Sequence, residues 1–133
     1  MTDFAAIARK LGPERCASAL AAYDDPDPVQ AALSWEHCVL GRCLGAPGSL
    51  VAAAREWEVT HHVILAEMPE RVADFWRDVM GLTSEDVYAV SAAFGEGGQI
   101  EWVIPAQPKG SRELLRLALE AEAAKASPVP CPA

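Results

Sequence analysis

The chain has 133 residues, a formal net charge of −8 and a composition that is 51% hydrophobic, much of it alanine. A chain of this length fits one domain, large enough to fold without metal or disulfide staples. Abundant alanine beside few aromatics favours helices over a β-sandwich, and so acidic a surface repels phosphate backbones, which disfavours direct DNA or RNA binding.

Proline and glycine punctuate the sequence into a series of helices. Asp3 to Leu11 reads as a short helix stopped by Gly12, and Pro13 opens a second that runs to about Tyr23. Asp24-Asp-Pro-Asp-Pro28 interrupts, with Asp27 as N-cap of a third helix reaching about Leu44. Along a continuous helix there, Cys43 falls in the apolar stripe while Cys38 lies well round from it, beside Arg42. Ser49 is expected to cap a fourth helix, whose seam of Leu50, Ala54, Trp57, His61, Ile64 and Met68 carries His61 into the core. Val59 to Leu65 is also rich in β-branched residues, so a strand is the competing reading. Pro69 and Glu70 open a fifth helix through Val72, Phe75, Trp76, Val79 and Met80 to Gly81. Thr83-Ser-Glu-Asp86 matches a capping box and starts a sixth, to about Phe94.

Ile100 to Ile104 is the best strand candidate and would pair with 59–65. Ser111 is expected to cap a last helix through Leu114, Leu115, Leu117, Ala118 and Ala121, before a proline-rich flexible tail at 127–133. The expected fold is mainly α: a compact multi-helix single domain over 1–126, with room for one small two-stranded β element (59–65 with 100–104). No apolar run approaches the ~18 residues of a spanning helix, and Met-Thr-Asp-Phe lacks the basic start of a signal peptide; no membrane association and a cytoplasmic location are expected. In that setting Cys16, Cys38, Cys43 and Cys131 are expected to be thiols.

Few residues suggest chemistry. His37 and Cys38 with His61 and His62 could together bind zinc, although no cofactor is expected. A nucleophilic Cys38, its thiolate favoured by Arg42 one turn on, would need His61 or His62 as base and Glu58 to orient it. Glu58-x-x-His61 has the spacing of di-iron bundles, but that chemistry needs the motif twice and it occurs once. There is no His-Glu-x-x-His, Gly-x-Ser-x-Gly or Walker sequence, and Gly95-Glu-Gly-Gly98 lacks the lysine that phosphate binding requires. Trp35, Trp57, Trp76 and Trp102 read as packing aromatics.

Charge is more telling. Between Glu56 and Glu101 ten acids stand against two bases, Arg71 and Arg77, which accounts for the whole net charge. Glu67, Glu70, Asp74, Asp78, Glu85 and Asp86 are therefore the candidate contacts to a protein partner with a basic surface.

The succession Cys38-x-Leu-Gly41, Pro69-x-x-Val72, Gly81-Leu-Thr-Ser-Glu-Asp-Val87 and Ala93-Phe94-x-x-Gly97 resembles small uncharacterised proteins of actinobacterial and phage genomes, in which a Cys-x-Leu-Gly motif precedes a Gly-Leu-Thr helix start. The resemblance covers about residues 28 to 98 and implies no catalytic residue. The expected function is a small acidic regulatory module, in the manner of a mobile-element or phage-type inhibitor. The alternative is a metal- or thiol-dependent enzyme centred on His37, Cys38, His61 and His62.

Overall fold

The computed structural model describes residues 2–27, 31, 36–45, 48–96 and 109–126. Among them the chain is mainly helical: α1 (Phe4–Leu11), α2 (Pro13–Ala19), α3 (Val39–Arg42), α4 (Ser49–His61), α5 (Val72–Met80), α6 (Ser84–Phe94) and α7 (Ser111–Ala123), with 3-10 turns at Leu20–Asp24 and Pro69–Arg71. Local chemistry sets most boundaries. The Asp3 carboxylate accepts the Ala6 N–H at 3.0 Å to cap α1, and Pro13, which has no N–H to leave unsatisfied, opens α2 directly after Gly12. At α6 the capping box is complete: the Thr83 hydroxyl accepts the Asp86 N–H at 3.2 Å, and the Asp86 carboxylate accepts the Thr83 N–H at 3.1 Å.

Elsewhere the boundaries differ from expectation. The two serines assigned as N-caps, Ser49 and Ser111, are instead the first helical residues, each preceded by a glycine with positive φ, Gly48 at 98° and Gly110 at 89°. The third helix is not continuous. Residues 36–38 form a turn, Cys38 is extended (φ −74°, ψ 173°), and α3 begins only at Val39. A nearly buried carboxylate lies beside this turn, accepting the Asp27 N–H at 2.9 Å. Asp25, with its side chain 8% exposed, needs a cation. Arg42 donates to it at 2.8 Å and also to the His37 carbonyl at 3.3 Å, an oxygen that the turn leaves available.

The fourth helix stops at His61, seven residues short of the end of the expected seam. His62 adopts a left-handed conformation (φ 55°, ψ 43°), and the chain turns back, with the Val63 N–H donated to the Glu58 carbonyl at 3.1 Å. The Glu58 carboxylate then accepts the Leu65 N–H at 2.7 Å and fixes the reversal. Val59 to His61 are thus the last turn of α4 and 65–67 lie in turns; residues 100–104 fall outside the described residues, as do Trp35, Trp102, Cys131 and the 127–133 tail.

The core lies between the two ends of the chain. α7 packs against α1, α2 and α6, and α3 fits between α2 and α6. On α7 the buried leucines are Leu115 and Leu119, with Ser111 and Glu122 also buried, whereas Leu114 and Leu117 are about half exposed (56% and 48%). Cys16, Ala19, Leu82, Ala93 and Phe94 complete this centre. α4 sits at its margin, held mainly by Leu50, Ala54 and Trp57. Among the described residues no helix is long and apolar enough to cross a membrane.

Candidate functional site

The acidic face is built where α4 meets α5, and the joint is an indole. Trp57 is buried, so its N–H must find an acceptor; it donates to Asp78 Oδ2 at 2.9 Å. This bond is the chief reason the Asp78 carboxyl is held below the usual carboxylate range, helped by Arg77. His61 stacks on the same indole, ring centroids 4.1 Å apart, with Nδ1 2.9 Å from the Trp57 carbonyl oxygen and Nε2 3.6 Å from Asp78 Oδ2. Because a carbonyl only accepts, Nδ1 carries the proton. His61 is therefore a surface residue leaning on Trp57, not the core residue that the seam predicts: with α4 ending at this position, no further turn exists to cover it. Arg71 lies over the other part of the assembly, 5.5 Å from the Trp57 ring, and binds Asp74 at 2.7 Å; Arg77 reaches Asp74 at 3.3 Å.

The six carboxylates expected to face a partner thus divide into two groups. Asp74 and Asp78 are engaged by Arg71, Arg77 and Trp57. Asp86 is engaged by the capping box and by Lys10 at 2.7 Å; burial pushes its pKa up, but these donors outweigh it and the net shift is downward. Glu67, Glu70 and Glu85 are exposed and form no ion pair among the described residues.

The histidines and cysteine proposed for metal or thiol chemistry occupy separate settings. His37 lies 3.6 Å from Asp25 and 3.2 Å from Arg42 Nη2. Cys38 is half-buried, and burial raises its thiol pKa despite the opposing amides of Gly41 and Leu40 and the Arg42 charge, so the expected thiolate is not favoured. Arg42 acts weakly on it because that cation faces Asp25. Glu58 holds the Leu65 amide, and His62 is the exposed cap of α4. Among the described residues no three His, Cys, Asp or Glu side chains are grouped to hold a metal ion.

Sequence patterning misses one feature of this region, a groove. The early end of α4 leaves its outer face uncovered, and the returning chain forms an opposite wall. Between them lies a cavity of about 380 Å³ floored by Val51, Ala54, Leu65, Ala66 and Val72. Beside it, sharing Arg55 and Glu58 as lining, is a larger and more open hollow of about 750 Å³ lined also by Val59, His62, Val63, Ile64, Glu67 and Met68. Ile64 is 54% and Met68 37% exposed. The available signal was Glu58, whose carboxylate sits one turn before a helix end and can accept the amides of a reversing chain. The chain matches no protein-family model, no curated protein and no solved structure, so its function is read from this surface alone.

Proposed function

We propose that the protein is a small acidic regulator that binds another protein by docking on its basic surface, as a mobile-element or phage-type inhibitor would. One observation carries the reading: Glu67, Glu70 and Glu85 remain exposed without an internal counter-ion among the described residues, although Arg71, Arg77 and Lys10 nearby neutralise Asp74, Asp78 and Asp86. Uncompensated surface charge of one sign accelerates encounter with the opposite sign. It adds little to folding, since an exposed charge is worth about 1 kcal/mol or less.

The test uses the partner that co-purifies from the host at low salt. Reversing Glu67, Glu70 and Glu85 together to lysine is expected to slow association roughly tenfold or more while leaving the unfolding midpoint nearly unchanged. Wild-type binding should weaken steeply as salt rises past about 0.1 M, where the screening length is about 10 Å. Binding that ignores both salt and the reversals would refute the proposal. Asp74 and Asp78 are unsuitable for this test, because reversing them also breaks the Trp57 and arginine contacts.

A further inference from the structure

We infer that the groove beside α4 is the seat of a partner's amphipathic basic segment, which places bulky apolar side chains on Val59, Leu65 and Ile64 and its lysines or arginines over Glu67 and Glu70. The inference rests on the acidic-module reading and gives it a site and a ligand class. Three features support that occupant. From Val51 to the cap His62 the α4 wall spans twelve residues, eleven rises or about 16 Å at 1.5 Å per residue, enough for about three turns of a helix. The floor is apolar and the hollow open, the form of groove that receives one face of an amphipathic helix. Acidic groups outnumber basic ones at this surface: Glu58 and Glu67 line it, Glu70 stands exposed two residues after Met68, and among the described residues Arg55 is the one arginine or lysine in the lining. An acidic segment would meet repulsion there, and a purely polar basic one would leave Ile64 and Met68 uncovered.

Charge and groove make opposite predictions for one substitution. Ile64→Glu adds an acid at an exposed position, so docking by charge alone is expected to hold or tighten, whereas seating in the groove is expected to weaken. Met68→Glu repeats the logic on a second residue, and neither site is buried, so both variants should fold. The probes are three synthetic peptides of about 14 residues, long enough for a groove-bound helix: leucine with lysine in amphipathic order, the same order with glutamate for lysine, and lysine with serine at equal charge. Binding is read by calorimetry and by NMR shifts on labelled full-length protein. The expected result is that the leucine–lysine peptide binds best, shifts Ile64, Leu65 and Met68, and loses roughly tenfold or more on Ile64→Glu or Met68→Glu. Equal binding of the lysine–serine peptide, unaffected by Ile64→Glu, would overturn the groove and leave the acidic reading standing. Equal binding of the leucine–glutamate peptide would overturn both. Protection of the Ile64 and Met68 methyls from a soluble paramagnetic agent in the protein alone would show the groove already filled, and would overturn the inference.

Discussion

Cys16 donates its thiol to the Ala8 carbonyl at 3.4 Å, and burial, reinforced by the Glu122 charge, pushes its pKa up to about 11. Burial raises Cys43 further, and the neighbouring Cys16 and Cys38 add to the effect. Only thiolates react, and at pH 8 the Cys16 thiolate is about a thousandth of the total. Cys16 and Cys43 are therefore expected to label with a maleimide only as fast as the native protein opens. Cys38, half-buried with its pKa also raised, should label more slowly than glutathione in the same solution. Mass spectrometry of peptides from a labelling time course checks this, and prompt labelling of Cys43 would contradict the packing of α3 on α2. The buried status of Cys43 was legible from its place in an apolar stripe. The state of Cys38 was not, because it depends on its burial and on the pairing of Arg42 with Asp25, thirteen residues before Cys38. His61 teaches the same lesson: its spacing marks a core position, but its exposure depends on where α4 stops.

Helix starts that use a side chain from within three residues could be read directly, as at Asp3 and Thr83. The start of α7 could not. Its amides are held by Glu96, fourteen or more residues earlier, which accepts N–H bonds from Gly110 and from Arg112, the latter at 3.0 Å. Those amide bonds hold the Glu96 carboxyl below the usual range. A depressed carboxylate stabilises the fold above the ordinary carboxylate range and loses that contribution as the pH falls through the lowered pKa. Glu96→Gln is accordingly expected to lower the thermal midpoint at pH 7 and to make little difference at pH 2, measured by circular dichroism melts at both. Thr83→Ala removes a local cap and should cost about 1 kcal/mol in urea unfolding. A Thr83→Ala cost indistinguishable from zero would mean that Lys10 and Asp86 alone secure the start of α6.

The first two helices and the last share one core, which sets where the protein is vulnerable. Leu115 and Leu119 are fully buried against α1 and α2, whereas Leu114 and Leu117 face outward. Truncating either buried leucine to alanine should cost about 2–5 kcal/mol, and either exposed one only a few tenths to ~1 kcal/mol; denaturant titration of the four variants decides this. Helix and apolar periodicity were readable along α7, but its phase was not, because five of its first nine positions are leucine or alanine and two faces compete. The partner helices made the choice. Arg112 marks the closure: its guanidinium lies 4.7 Å from the Tyr23 ring and 4.9 Å from the Phe94 ring, while its carbonyl accepts the Tyr23 hydroxyl across 89 positions of chain. On the ribosome, then, α1 and α2 emerge long before the surface that covers them. Ala8, Leu11 and Cys16 must wait about 5–20 s at ordinary elongation rates while the residues between them and α7 are made, so the nascent chain is exposed to chaperones and proteases until α7 has cleared the exit tunnel.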